Sequence, residues 1–288
     1  MKHLGYFLQA VFVYLFMIII KTLGINLSRV LFSKIFNLLG KFFRSEKIIE
    51  KNLSYIFPNL KENEKKVLIE NMWSNYAKTF VEYFFLKEFK KSLNHVKISG
   101  LEILDKIKED NKPVIFVSGH FSNFELMSME LVKNNINLAI LYRPLNNYLI
   151  NPLMTNIRKK YVCKNQFVKG MMGLKQAIDY LDKKFCIALM IDQRLSEGEK
   201  IKFFSHEAYT TTLPAQLAIK YNCNIVPIYL KRKDNNEFTM EIKQPLRIDQ
   251  FKSDTNKKYN ISKKLNKIIE EMILKDPSQW ILTHNRWK

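Results

Sequence analysis

The chain has 288 residues, of which 47% are hydrophobic and 13% aromatic, with only 8 Gly and 8 Pro; this excludes a disordered, collagen-like or low-complexity polypeptide and sets a packed globular body as the expectation. Lys and Arg number 47 against 27 Asp and Glu, a net charge of +20, so the partners to look for are nucleic acid, an anionic membrane surface or a phosphorylated substrate. Cys163, Cys186 and Cys223 form no C-x-x-C pair and do not cluster with His, which supports neither a disulfide framework nor a zinc site and predicts three buried thiols in a reducing compartment.

Leu4 to Ile20 reads LGYFLQAVFVYLFMIII, an apolar run broken only by Gln9. Its length is at the short end of the roughly 17–25 residues that cross a bilayer core. Lys2 gives a minimal signal-peptide n-region, but Lys21-Thr22-Leu23-Gly24-Ile25-Asn26 holds no Ala-x-Ala type cleavage site, so the run is expected to stay as an anchor. Lys21, Arg29, Lys34, Lys41 and Arg44 all follow it before the first acid, Glu46, which keeps the body on the cytoplasmic side. In the second apolar stretch, Leu27 to Phe43, Val30, Leu31, Ile35, Leu38, Leu39 and Phe42 recur at spacings of three and four between the basic residues; this predicts a basic amphipathic helix lying on a membrane.

Ile48 to Phe57 reads as a helix, Phe57-Pro58-Asn59-Leu60 as a break, and Glu62 to about Phe85 as a long helix with an unbroken apolar stripe. After residue 110 short apolar runs alternate with helical stretches. The expected strands are 114–117, 138–142, 187–191, 225–229 and 238–242; the expected helices are 123–133, 148–161, 171–183, 214–221 and 257–274. This alternation predicts an α/β fold with a mostly parallel central sheet flanked by helices, preceded by the membrane-anchoring helix. Pro227 predicts that its strand is an edge or is bulged. The expected organisation is an anchor over 1–22 and one body over 23–288, whose first part, 23–100, is helical and membrane-associated.

Ligands of open α/β sheets gather at the carboxyl ends of the strands. There, after Val114–Val117, comes Ser118-Gly119-His120-Phe121-Ser122-Asn123-Phe124-Glu125. Five positions do not place His120 and Glu125 on one face of a continuous helix. They meet only if His120 lies on the preceding turn and Glu125 in the first helical turn, where a carboxylate beside an imidazole suits a general base. Ser122 to Glu125 also fits the capping box S-x-x-E, in which Glu125 merely closes its own helix.

Strand, Gly-His and Glu at +5, in a basic chain with an apolar amino terminus, resembles the H-x4-D/E motif of the glycerolphosphate acyltransferase-like superfamily. More specifically the chain resembles the late acyltransferases of lipid A biosynthesis, the lauroyl and myristoyl transferases. The likeness runs through Asn52-Leu53-Ser54-Tyr55-Ile56-Phe57-Pro58, Gly119-His120 to Glu125, Tyr142-Arg143-Pro144 and Ile191-Asp192-Gln193. It continues through Phe203-Phe204, Thr210-Thr211-Thr212 and Val226-Pro227 to Pro277-Ser278-Gln279-Trp280 and His284-Asn285-Arg286-Trp287. Arg194 stands where such proteins often carry a second acid, and Lys169 where Arg is more usual.

The resemblance implies an O-acyltransferase of the inner membrane that moves a fatty acyl group from acyl carrier protein to a hydroxyl of a lipid A precursor, without cofactor or metal. His120 would take the hydroxyl proton and Glu125 would hold the ring. Arg143 is a candidate for a phosphate or the forming oxyanion, or else an exposed solubilising residue; Arg158 is a candidate for phosphate, or part of a solvated helix face. Asp192 and Gln193 are candidates for orienting substrate or supporting the site, or for capping a helix. His284, Arg286 and the flanking tryptophans are expected to pack the carboxyl tail. A glycerophospholipid or other glycolipid acceptor is the rival within chemistry; a nucleic-acid-binding protein and a non-enzymatic membrane scaffold are the rivals outside it. The apolar amino terminus and the lack of a recognisable binding motif argue against nucleic acid.

Overall fold

The computed structural model describes residues 2–43, 46–251 and 254–288; Arg44, counted in the charge asymmetry, lies outside them. Helix α1 (Lys2–Phe43) is one helix by length only, because Gly24 inside it takes φ 75° and ψ 168°. The chain doubles back there: the Phe16 and Phe32 ring centroids are 5.2 Å apart, whereas 16 residues of straight helix would separate them by about 24 Å. Ser28 Oγ donates to Ile20 O across the bend at 3.2 Å. Both segments expose apolar side chains, from Leu4, Phe7, Leu8 and Phe12 to Leu27, Val30, Leu38 and Phe42, and α1 is long and apolar enough to cross a membrane by length and composition.

The inner face of the second segment differs from the expected pattern. Arg29, read as a cation on the membrane-lying helix, is buried against Glu82 with a 2.8 Å bond from its Nε. The apolar stripe faces outward and Arg29 inward, while Lys34 stays exposed, because Glu82 lies within the body and must be paired.

Helices α2 (Glu46–Ile56), α3 (Glu62–Tyr83) and α4 (Leu86–Lys91) follow, then strand β1 (Val96–Ser99) and α5 (Leu101–Asp110). Next come β2 (Ile115–Ser118), α6 (Glu125–Lys133), β3 (Leu138–Tyr142), α7 (Asn151–Tyr161), β4 (Asn165–Val168), α8 (Met171–Asp182) and β5 (Cys186–Met190). The hairpin β6 (Glu199–Phe203)/β7 (His206–Thr210), α9 (Leu213–Tyr221), β8 (Ile225–Arg232), β9 (Phe238–Ile242) and α10 (Lys257–Lys275) complete the chain order before the carboxyl tail. β1, β4, α5 and the β6–β7 hairpin were not legible from periodicity; β1 and β4 are four residues each, too short to show an alternation.

The main sheet has the order β1-β9-β8-β2-β5-β3-β4. The five strands from β8 to β4 are mutually parallel, while β9 runs antiparallel to β8 and parallel to β1. The fold is thus α/β with a mostly parallel sheet between helices. Pro227 lies in β8, which has a neighbour on each side and is not an edge, the first of the two expected alternatives. It is tolerated because the β8–β9 ladder begins only at Ile228. The Pro227 carbonyl faces that side, accepting from Lys243 N at 2.9 Å, so the missing N–H faces the same gap and costs no bond to β2.

Alternate strand residues divide the core into two layers. Phe116, Leu138, Ile140 and Ala188 face α1, α3–α6 and α7, whereas Ile115, Val117, Ala139, Ile187 and Leu189 face α2, the first part of α3, α8, α9 and α10. The helix after β2 therefore covers one face and the helix reached from β5 covers the other, although β2 and β5 are neighbours. Their carboxyl ends form the topological switch point, the place where open α/β sheets bind their ligands.

Candidate active site

His120 follows β2 and Asp192 follows β5, so the two sit on either side of that switch point. The Asp192 carboxylate, 0% exposed as a side chain, is held from three directions. His120 Nδ1 lies 2.8 Å from Oδ1, while the His120 backbone N–H and Trp280 Nε1 donate to Oδ2 at 3.0 and 2.8 Å. Gly119 makes this approach possible: a Cβ there would lie 2.8 Å from Phe121 and 3.2 Å from the Asp192 Cβ.

Burial alone raises the Asp192 pKa, but the His120 charge and the hydrogen bonds outweigh it and hold the carboxyl down at about 2. Burial likewise lowers the His120 pKa, and Asp192, with Glu125 adding at longer range, more than reverses that, so the ring stays protonated to higher pH than an ordinary imidazole. With Nδ1–H directed at a fixed carboxylate, the neutral tautomer carries its lone pair on Nε2. Nε2 makes no hydrogen bond among the described residues, and the ring is partly exposed, with Phe124 edge-on at 4.7 Å.

The expectation that Glu125 holds the ring is therefore corrected: Asp192, 72 positions away, does so. Glu125 instead takes Arg158, whose Nε lies 2.9 and 3.1 Å from its two oxygens and whose second terminal nitrogen is 2.5 Å from Oε1. Burial lowers the guanidinium pKa and Glu125 more than restores it, so Arg158 is a cation held in place by Glu125 rather than part of a solvated helix face. The capping-box alternative also fails. No side chain caps α6, and Ser122 Oγ bonds Gln279 Oε1 at 3.0 Å. Asp192 caps no helix either, since the chain runs on through turns to β6.

The reason His120 and Glu125 do not pair lies in the turn between them. Ser122 has φ 47°, a conformation that disfavours a side chain by about 1 kcal/mol, and outside contacts impose it. Its N–H donates to Gln279 O at 2.8 Å, Phe121 bridges to Trp280, and Thr79 Oγ1 donates to Ser122 O at 3.1 Å. The tail is thus packed, as expected, but it also shapes the site. Gln279 clamps the loop and Trp280 orients Asp192. His284, its pKa lowered to about 4 by burial and by His120 and the Arg286 and Arg194 charges, is neutral and accepts the Arg194 N–H at 2.9 Å. Neither Gln279 nor Trp280 stood out as a site residue in the sequence; only their place in the tail motif marked them.

Arg143 lies exposed after β3 and Gln193 half-buried after β5. Neither side chain makes a hydrogen bond or ion pair among the described residues, and none of the bonds joining His120, Glu125, Arg158 and Asp192 involves them. The cysteines are buried and free, and burial pushes the Cys163 and Cys186 thiols up to about 11.

The family model for bacterial lipid A biosynthesis acyltransferases matches residues 1–288. Among similar proteins, a lipid A biosynthesis acyltransferase of Haemophilus influenzae is 24% identical over 252 residues, covering 85% of this chain and 78% of that protein. The lipid A biosynthesis lauroyltransferase of Escherichia coli K12 is 23% identical over 252 residues, 85% of this chain and 79% of its own length. The myristoyltransferase of the same organism is 22% identical over 253 residues, with 85% and 75% covered.

Proposed function

The chain belongs to the bacterial lipid A biosynthesis acyltransferase family, and from that membership we propose that it moves a fatty acyl group from acyl carrier protein to a hydroxyl of a lipid A precursor, with His120 as general base. The observation that carries the base is the pairing of His120 Nδ1 with buried Asp192 at 2.8 Å, which leaves Nε2 unbonded on a partly exposed ring. Nε2 takes the acceptor hydroxyl proton as that oxygen attacks the thioester carbonyl. The tetrahedral intermediate collapses by breaking the C–S bond, and the imidazolium returns its proton to the leaving thiolate. Asp192 stabilises the imidazolium formed on the way, Trp280 keeps the carboxylate aimed, and Glu125, fixed by Arg158, adds a second negative charge within reach of the ring. Such a base is typically worth about 10²–10⁴ in rate.

Arg143 and Gln193, whose side chains are unbonded at the same edge of the sheet, are the donors left to meet a phosphate of the glycolipid or the carbonyl oxygen. The apolar flank of α1, running over both segments, supports attachment to the inner membrane, with residues 1–22 as the anchor and the basic body on the cytoplasmic side, where an acidic carrier protein and a phosphorylated glycolipid are both attracted to it. Mass spectrometry of lipid A precursors incubated with the protein and loaded acyl carrier protein tests the reaction. Wild type adds one acyl mass and His120→Ala adds none while still sedimenting with membranes; wild-type turnover by that variant would refute the role of the base.

A further inference from the structure

We propose that Glu82 is a positioning residue for the transfer, through which the doubled-back α1 sets the shape of the catalytic loop; this rests on the reading of His120 as the base. Glu82 is 0% exposed near the end of α3, in the midst of Phe80, Val81, Tyr83 and Phe84. One oxygen accepts Arg29 Nε and its terminal nitrogen, both at 2.8 Å, together with a terminal nitrogen of Arg232 at the end of β8. The other accepts Asn123 Nδ2 at 3.1 Å.

Asn123 lies between His120 and Glu125, is buried, and bonds Glu82 alone through its side chain, its Oδ1 having no partner. A second route reaches the same loop. Arg232 also contacts Thr79 Oγ1 at 3.2 Å, and Thr79 donates to Ser122 O. The Arg232 backbone exchanges bonds of 2.7 and 2.8 Å with Gln279, the residue that clamps Ser122. Ser122, the strained residue of the loop, and its neighbour Asn123 are thus both tied to one carboxylate, and the carboxylate is tied to α1.

The charges show how much depends on Glu82. It is a single carboxylate against Arg29, Arg232 and the half-buried Lys78, which stands four residues before it on α3 and whose pKa is lowered by burial and then by Arg232. Burying such a set costs more than apolar packing of equal volume, and its bonds run to the catalytic loop rather than only between helices. Loss of Arg29 leaves Glu82 free to turn toward Arg232 and release Asn123.

Coupling of this kind is read by a double-mutant cycle. Turnover per folded molecule is measured on the full chain in mixed micelles of phosphatidylglycerol and detergent, varying the loaded carrier protein. Arg29→Met and Asn123→Ala each lower kcat about tenfold with the carrier KM within about twofold, and the double variant is also about tenfold down because both act through the same bond. Arg29→Lys, which keeps the charge but offers one contact point, recovers part of the loss, and it replaces Arg29→Met in the cycle should that variant not fold. Losses that multiply to about a hundredfold, a wild-type kcat for the Arg29 variant, or an effect confined to KM would overturn the proposal. Retained turnover in His120→Ala would instead bring down the base; multiplying losses in an enzyme that still requires His120 bring down this inference alone.

Discussion

Asp192→Asn keeps the volume of the side chain and removes only its charge and its preference for accepting. In the native protein the carboxyl is held at about 2 against an ordinary 3.8, a difference worth about 2 kcal/mol at 1.36 kcal/mol per pH unit. That contribution to stability is whole above about 3.8 and is lost as the pH falls toward about 2, so at neutral pH the variant is destabilised by about that amount. The effect on rate is larger, because an amide can turn its NH2 toward Nδ1 and move the ring proton to Nε2, taking away the lone pair the acceptor needs. A fall in kcat of about 10³–10⁴, or about 4–5.5 kcal/mol, is expected. The assay is single-turnover acyl transfer across pH. The wild-type acid limb lies above 6.5, since the ring must lose its proton to act and its pKa is raised; in the variant the limb moves to lower pH as the maximum rate drops. A variant with a kcat within about threefold of wild type and an unmoved acid limb would refute the assignment of Asp192 as the partner of the base.

Arg158→Met leaves the nearly buried Glu125 carboxylate unpaired and should cost about 3 kcal/mol in denaturant unfolding, while Arg158→Met with Glu125→Leu regains most of that stability and no activity. Gln279→Ala removes the bonds from Ser122 Oγ and to both backbone groups of Arg232; a loss of about 1–3 kcal/mol and a lower kcat are expected, read by urea unfolding and steady-state transfer. Deleting residues 1–22 should shift the protein from the pellet to the supernatant when sedimented with anionic vesicles, and unchanged pelleting would count against the anchor.

The helical stretches and central strands were legible because their apolar residues repeat at 3.6 or run together, and the handover from Val117 to His120 marked the site for the same reason. The role of the buried acid Glu82 was not. Glu82 sits within an apolar helical stripe, which is itself a sign of a buried, paired carboxylate, yet nothing nearby in sequence names Arg29 or Arg232. Likewise Arg29 and the exposed Lys34 look alike in a basic amphipathic pattern, although one is inside and the other outside.

By itself the sequence determined the α/β alternation, the apolar amino terminus, the order of motifs and the imidazole at the end of a strand, since each depends on neighbours within a few positions. Which carboxylate serves that imidazole was decided only by tertiary structure. Glu125 is close along the chain, but Ser122 is bent to a positive φ by Gln279 and Arg158 claims the acid. Asp192 is distant along the chain, but β5 lies beside β2, and strand neighbours in a sheet are chosen by the packing of two helical layers rather than by any local signal.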